Sequence, residues 1–257
     1  MQMTGKRGIT WKMPSISADG LKIFATVVLL IQTIGMTIVE KGVIHVDQYT
    51  QEGFSQALAD DSHLMVLAGI SSVMQIIGGL AVPIFAFLLV EGFMKTSNYG
   101  KYLLSIGVFA LLSEIPYDLA SSLKFVDWNS QNALVTMFVS LLMLYFIRML
   151  DGRKGILYSV ARLIIVFCGV MWVTIFRAQY GLCIVLLVAI LYIFRSRGVL
   201  KTILGAIVSA LYVTGPLSFY AIWCYNEKRG DKFPKYAYYI FYPLHLLILG
   251  IIAKYVL

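Results

Sequence analysis

The sequence predicts an all-α, polytopic membrane protein with about eight transmembrane helices. Of its 257 residues, 60% are hydrophobic and only 13% are charged, and the mean hydropathy is +0.82. A soluble domain carries about 25% charged residues, so this chain lacks the side chains needed to cover a surface in water. Its apolar runs are continuous, whereas the strands of a membrane β-barrel alternate over about ten residues. Soluble enzymes, disulfide scaffolds and fibrous proteins are therefore excluded.

Each predicted helix is an apolar run close to the roughly 20 residues that cross about 30 Å of hydrocarbon. The sixth run is short, so we expect it to lie nearly upright or to thin the bilayer locally. Three runs contain proline, whose missing backbone donor is expected to kink the helix at Pro83, Pro216 and Pro243. The eight runs cover approximately residues 21–39, 72–94, 101–117, 132–150, 155–176, 180–195, 202–224 and 236–256.

Charge predicts how the chain is oriented. We expect a single integral membrane domain over residues 1–257, with segment 1–19 in the cytoplasm, because lysine and arginine accumulate in cytoplasmic loops. This asymmetry accounts for the net charge of +8, so no nucleic acid partner is expected. The loop at 226–235 disagrees, because it is basic yet falls outside on a count of eight spans. A miscounted span or a half-crossing around Pro216 would remove the conflict.

The first outer loop, at residues 40–63, is acidic and long for a connector. Its residues Tyr49, Phe54 and Leu58 have the spacing of a short helix that lies on the membrane surface. Such a helix would form a lid over an outward-facing cleft. The simpler interpretation is a solvated connector that contacts the membrane interface.

Ionisable residues within a span are costly to bury and are therefore candidate functional residues. His245 in the last span is the best candidate general base, because its ordinary pKa lies near neutrality. Alternatively, it bonds a backbone group near Pro243. Glu91 is a second candidate, with an ion pair to Lys95 one helical turn later as the alternative.

Other polar residues offer less specific signals. Glu114 and Asp118 are four positions apart and would repel each other if both were ionised. The three cysteines, at 168, 183 and 224, lie in apolar runs and indicate small buried side chains. No Cys and His cluster has the spacing of a metal site, and no nucleotide-binding or hydrolase motif is present. No metal is therefore expected.

Three stretches of the chain carry a family resemblance, in matching order and spacing. The first is 83–93 with Thr96, Asn98 and 101–104, the second is 109–120 with Gln131, Asn132 and Thr136, and the third is Tyr225, Asn226, Arg229, Gly230 and 241–247. On these residues the sequence resembles the TraX family, which includes the F-pilin N-acetylase.

The resemblance implies a membrane acetyltransferase in the bacterial cytoplasmic (inner) membrane. An acetyl group would pass from acetyl-CoA to a peptide or protein amine, or to another small acceptor, held at the membrane lipid. His245 and Glu91 would be the catalytic residues. The substrate-binding positions implied by the resemblance are Glu114, Asp118, Asn132, Tyr180, Asn226 and Tyr242.

The sequence also departs from the family pattern where ionisable residues are expected. Gln32 and Thr33 replace an Asp-His pair in the first span, Gly79 and Ser105 replace arginines, and Gln179 replaces an aspartate. Either His245 has taken over as the base, or the chain keeps the fold as a non-catalytic binding or partner subunit. A transporter is a third class, disfavoured because the polar groups fall at scattered depths.

Overall fold

A computed structural model describes residues 14–228, 230 and 237–257. Within these residues the chain is helical, apart from isolated backbone bridges at Ile16–Tyr225 and Gln131–Ala178. Four helical segments are long and apolar enough to cross a membrane, and a fifth qualifies if one bent pair counts as a single span. The predicted all-α, polytopic membrane fold is therefore confirmed.

Most helices follow the predicted apolar runs, although α3 begins ten residues before the predicted start at 72 and the run at 202–224 is divided. In chain order they are α1 (Ala18–Thr33), which continues as a π-helix over Ile34–Val43, α2 (Gln51–Asp60), α3 (Ser62–Gly78), α4 (Ala81–Lys95), α5 (Tyr99–Leu112), α6 (Glu114–Ser122), α7 (Ala133–Arg148), α8 (Ile156–Ile175), α9 (Gly181–Ile193), α10 (Gly198–Ser209), α11 (Ser218–Trp223) and α12 (Ala237–Tyr255). Short 3-10 turns at Val46–Gln48 and Gly215–Leu217 precede α2 and α11.

Side-chain caps explain where several helices begin. Ser17 accepts a hydrogen bond from the amide of Gly20 at the start of α1, and Asp61 caps α3 in the same way. Asn98 caps α5 and Asn132 caps α7. Each cap pairs a backbone N–H that the first turn of a helix leaves free.

The helix breaks at Gly79 and Leu80, between α3 and α4. Pro83 lies one turn later, where it offers no donor to the carbonyl of Gly79 and its ring crowds that carbonyl. The break is thus the distortion predicted at Pro83. A hydroxyl group from a later part of the chain contacts this break. Ser218 donates to the carbonyl of Leu80 over 2.8 Å.

The predicted single span at 202–224 is wrong. Instead of kinking at Pro216, the chain ends α10 at Ser209, turns, and returns as α11. The indole Nε1 of Trp223 donates to the hydroxyl of Thr202 over 3.1 Å, so the end of α11 lies beside the start of α10. We call residues 198–223 the hairpin. It corresponds to the half-crossing that the charge pattern offered as an alternative.

One end of the bundle, which we call the N-terminal end, gathers the beginning of α1 and the end of the hairpin. The amide of Ile16 donates to the carbonyl of Cys224 over 2.8 Å. Lys95 at the end of α4 donates to the hydroxyl of Tyr225 over 3.0 Å. Arg148, at the end of α7, lies over the ring of Tyr99 at the start of α5.

The opposite end gathers the end of the π-helix that continues α1, the turns that precede α7 and α9, and the end of α12. The amide of Gln131 donates to the carbonyl of Arg177 over 3.2 Å. Lys254 lies 4.4 Å from the ring centroid of Phe125. Within the described residues the chain therefore passes seven times between the two ends and adds one hairpin. These seven passages replace the eight crossings predicted from the apolar runs.

Two other predicted features are located by the structure. Helix α2 forms inside the predicted outer loop at 40–63, while α1 with its π-helix reaches Val43. Pro243 lies inside α12. Of the predicted cytoplasmic segment 1–19, positions 1–13 lie outside the described residues.

The apolar core centres on α4, α7 and α9. Leu187, Val188 and Val185 of α9 and Leu144 of α7 have no exposed surface. Helix α8, in contrast, is largely exposed, as expected for a helix at the lipid-facing edge of a membrane bundle. The core thus holds in place the helices that carry the polar residues.

Candidate functional site

His245 is buried inside the bundle, on α12. Its Nδ1 lies 2.9 Å from the carbonyl oxygen of Phe241, one turn earlier. Because a carbonyl oxygen only accepts, Nδ1 carries the proton in the neutral ring and Nε2 presents a lone pair. The hydroxyl oxygen of Thr33 on α1 lies 3.4 Å from Nε2. His245 therefore bonds a backbone group and also aims a basic nitrogen at the first helix.

A small cavity of about 20 Å³ lies beside Thr33. That volume holds about one water molecule. Residues from α1, from α6, from the turn before α9 and from α12 converge on it, although they are far apart in the sequence. The lining residues are Leu29, Gln32, Thr33, Met36, Tyr117, Gln179, Tyr180, Tyr242 and Leu246.

This cavity, which we call the central cavity, is lined by residues from two sets that the sequence analysis singled out. Three of the five positions that depart from the family pattern line it, namely Gln32, Thr33 and Gln179. Two of the predicted substrate-binding residues, Tyr180 and Tyr242, line it as well. Three of the five departures therefore fall in one site.

Gln32 and Tyr180 are joined across the central cavity. Nε2 of Gln32 donates to the Tyr180 hydroxyl over 2.7 Å, and Oε1 of Gln32 is buried with no hydrogen-bond partner in the described part of the chain. Tyr180 adopts the left-handed region with φ 58°, which costs a residue other than glycine about 1–3 kcal/mol and is concentrated at functional sites. Its ring packs edge-on against Tyr212 at the tip of the hairpin.

Asn132 and Glu114 form a polar junction near the opposite end. The side-chain amide of Asn132 is fully buried and donates to the carbonyl of Ala110 over 2.8 Å and to the carboxylate of Glu114. Its oxygen accepts from the amide of Leu134 over 2.9 Å. Oε1 of Glu114 is buried and unpartnered among the described residues. The structure thus brings together two predicted substrate-binding residues, but their contacts are to the protein itself.

Asp118 stabilises the loop that follows α6 by a hydrogen bond. Its Oδ2 accepts from the amide of Asp127 over 2.8 Å, and its Oδ1 is buried with no partner in the described ranges. Asp127 lies in that loop, where hydrogen bonds from the amide and side chain of Asn129 hold the pKa of its carboxyl below the ordinary value. Tyr117, next to Asp118 in the chain, reaches the central cavity.

Glu91 belongs to a separate cluster at the N-terminal end. Its Oε2 lies 2.9 Å from Nζ of Lys95, so the predicted alternative of an ion pair is confirmed. Tyr225 lies between the two residues, with its hydroxyl 3.3 Å from Glu91, and burial raises the pKa of this phenol. Among the described residues no hydrogen bond or ion pair links Glu91 to His245.

Asn226 joins the end of the hairpin to the N-terminal segment. Its side-chain amide donates to the hydroxyl of Ser15 over 2.8 Å, and its backbone amide donates to the carbonyl of Ile16 over 3.0 Å. Of the flanking matched residues, Arg229 lies outside the described residues. Asn226 therefore contacts the first segment of the chain rather than the central cavity.

The remaining two departures lie away from the cavity wall. Ser105 donates to the carbonyl of Lys101 within α5. A Cβ atom on Gly79 would lie 2.8 Å from the Thr214 hydroxyl and 3.0 Å from Cβ of Tyr212, so the hairpin tip leaves no room there for an arginine. No group of three or more potential metal ligands is found in the described part of the chain.

Sequence reasoning missed Tyr117, Met36 and Tyr212. Tyr117 follows Pro116 inside the second matched stretch, so its position in that stretch was an available signal. Tyr212 lies in a predicted span that proved to be a hairpin, and nothing in its neighbours indicated a contact with Tyr180. Met36 lies one turn after Thr33, and only the fold shows that both face the cavity.

The fold and the central cavity define a helical membrane protein with a buried polar site. A family model described as TraX protein matches residues 17–253, and the chain belongs to that family. It is 24% identical over 204 residues to the probable fimbrial assembly protein FimC, serogroup H1, of Dichelobacter nodosus. That match covers 68% of this chain and 81% of the relative. No solved structure matches the chain.

Proposed function

We propose that this protein is a membrane acyltransferase that acts in fimbrial assembly, moving an acetyl group from acetyl-CoA to an amine or hydroxyl acceptor. The observation that carries the proposal is the orientation of His245. Phe241 holds Nδ1, so the basic Nε2 faces Thr33 at the edge of the central cavity. The family membership and the printed name of the fimbrial relative support the same biological role.

The chemistry asks for one base where donor and acceptor meet. The acceptor nitrogen or oxygen attacks the thioester carbonyl carbon while Nε2 of His245 takes its proton. The carbon–sulfur bond then breaks, the leaving sulfur takes that proton from His245, and coenzyme A departs as the thiol. Gln32 and Tyr180 carry polar groups that line this cavity. These groups are suited to hold the acceptor or to stabilise the carbonyl oxygen as it gains charge.

Charge supports entry of acetyl-CoA from the N-terminal end. Lys95 and Arg148 lie there with other basic residues, and arginine and lysine suit the phosphates of coenzyme A. The hairpin runs from this end to the central cavity, where Tyr212 meets Tyr180. The opposite end holds the acidic segment 47–61. By the positive-inside rule, this asymmetry favours a cytoplasmic N-terminus in a bacterial inner membrane.

A second function is favoured by the size of the central cavity. A volume of about 20 Å³ is too small for an acetyl group and an acceptor together, and its walls lack the Asp-His pair of the family pattern. On this alternative the protein is a catalytically degenerate TraX-fold subunit that binds an assembly partner. His245 would then only satisfy the carbonyl of Phe241.

Acetyl transfer by the purified protein separates the two functions. We expect wild-type protein in detergent to bind acetyl-CoA and to transfer labelled acetyl groups to an acceptor in a membrane extract. His245→Gln should keep donor binding and lose about 10²- to 10⁴-fold in rate, the usual contribution of a general base. His63→Gln is the matched control, because His63 is exposed at the start of α3. Absence of binding at millimolar acetyl-CoA would overturn acetyl transfer and leave the partner subunit.

A further inference from the structure

A second and larger cavity lies at the opposite end of the bundle. Its volume is about 160 Å³, and it is lined by the π-helix, the turn that precedes α2, α2 itself and α3. Ile44, Val46 and Phe54 form apolar walls, while Glu40 and Ser72 supply polar groups. An engineered cavity of about 150 Å³ holds a molecule of benzene. This space, which we call the outer cavity, can therefore hold a ligand of about that size.

Glu40 is a carboxylate that receives only neutral donors. Its Oε2 accepts from Nε2 of Gln75 over 2.6 Å and lies 3.5 Å from the hydroxyl of Ser71. The neighbouring cation, Lys41, pairs with Asp47 instead. No ion pair found in the described ranges includes Glu40. Since a carboxylate offers about four lone-pair sites, Glu40 retains the capacity to accept from a cation.

The residues that line the outer cavity favour an organic ammonium group over a metal ion. Calcium and magnesium need about six or more oxygen ligands, whereas Glu40 is the one acidic residue in the lining. An ammonium group has three donors and no acceptor. The hydroxyl of Ser72 donates to the carbonyl of Ala68 over 2.9 Å, so its lone pairs are free to accept from such a group. The apolar walls suit a short hydrocarbon substituent.

We propose that the outer cavity binds a primary ammonium group carried on a short apolar chain, with Glu40 as its counter-ion. The proposal does not depend on acetyl transfer, because it rests on the cavity, its one carboxylate and its apolar walls. Helix α2 covers the site through Phe54, although no residue of α2 is buried. A cover held by so few contacts opens at low cost, which gives the ligand a way in.

Binding of propylammonium to the full-length protein in detergent tests the site by ligand-observed NMR. We expect saturable binding that Glu40→Gln weakens at least tenfold. The amide keeps the shape of the side chain and its bond from Gln75. Asp60→Asn is the matched control, because it removes the same charge from an exposed residue outside the lining. Equal binding by the wild type and Glu40→Gln, or equal binding of neutral 1-propanol, would overturn the proposal.

A second variant tests the space separately from the charge. Ala68 lines the outer cavity, so Ala68→Leu should fill it and abolish propylammonium binding while Glu40 stays in place. Thermal unfolding of the same sample reports whether the variant is folded. If a folded Ala68→Leu protein binds propylammonium as the wild type does, the ammonium does not enter this cavity and the proposal fails.

Two natural sources carry this chemistry, and competition distinguishes them. Short-chain phosphatidylethanolamine presents the ammonium of a lipid headgroup, and alaninamide presents that of a peptide N-terminus. Displacement of propylammonium by either compound supports the site and assigns its source. Displacement by sodium ions at equal concentration would identify a simple cation site and overturn the organic ligand.

Discussion

Gly78 of α3 lies directly against Gln32 of α1, so that a Cβ atom on Gly78 would overlap the Cβ, Cδ and Oε1 atoms of Gln32. Because the overlap includes Cβ, a rotation of the Gln32 side chain cannot relieve it. The missing side chain at Gly78 thus allows the two helices to approach. It also leaves Gln32 in the position from which it bonds Tyr180 across the central cavity.

Gly78→Ala is expected to destabilise the protein despite the better helix propensity of alanine. Overpacking costs about 1–3 kcal/mol, which exceeds the gain of up to about 1 kcal/mol from replacing a helical glycine. Gly69→Ala is the matched control on the same helix, since no atom lies within 4 Å of its Cβ position. Thermal unfolding in detergent should show a lower midpoint for Gly78→Ala and an equal or higher one for Gly69→Ala. A stabilised Gly78→Ala protein would contradict the close approach.

Tyr180→Phe removes the hydroxyl that pairs with Gln32. The amide nitrogen of Gln32 would then be left buried beside its unpartnered Oε1, at a cost of about 1–3 kcal/mol. We expect a clear loss of thermal stability. Tyr220→Phe serves as the control, because Tyr220 is 58% exposed and its loss should change stability by less than about 0.5 kcal/mol. Equal effects of the two substitutions would show that the Gln32 bond contributes nothing.

Asn132→Ala is expected to be among the most damaging single substitutions at the opposite end. It removes the cap of α7, worth about 1 kcal/mol. It also takes the side-chain donor away from the half-buried carboxylate of Glu114 and from the carbonyl of Ala110, at a further cost of about 1–3 kcal/mol. Unfolding measurements should therefore show a loss of several kcal/mol. The exposed Asn129 provides the control, and Asn129→Ala should have little effect. A mild Asn132→Ala phenotype would indicate that Glu114 finds another donor.

The sequence predicted the helices better than their connections. Apolar runs located the core helices because burial in lipid or protein requires continuous hydrophobicity. The run at 202–224 satisfies the same rule, so composition alone could not distinguish a crossing from a hairpin that turns before Pro216. The basic loop after Asn226 carried that information, since its charge conflicted with the eight-span count.

The candidate site was predicted in parts. His245 and Tyr180 were identified as residues, but their relation to Gln32 and Thr33 depends on how α1, α9 and α12 pack, which no local pattern encodes. Glu91 has the predicted ion pair with Lys95, because that contact lies within one helix. The outer cavity was predicted only as an outward-facing cleft beneath a lid helix, and Glu40 was not identified as its acidic residue. Glu40 is the first residue of the predicted outer loop at 40–63.

Membrane topology distinguishes the hairpin from an eighth crossing. Residues 225–228 lie beside the segment around Ile16, and Leu257 lies beside Gly42 at the far end of the π-helix that continues α1. Position 228 therefore lies on the side of Ile16, and the C-terminus lies on the other side. An eight-span chain would reverse both assignments. In a background free of the three native cysteines, we expect a membrane-impermeant maleimide added outside intact cells to label V256C and not K228C. In inverted vesicles the pattern should exchange, which controls for the reactivity of each thiol. S15C reports the side of the first described segment. Labelling of K228C on the side opposite to S15C would restore eight crossings and contradict the seven passages of the bundle.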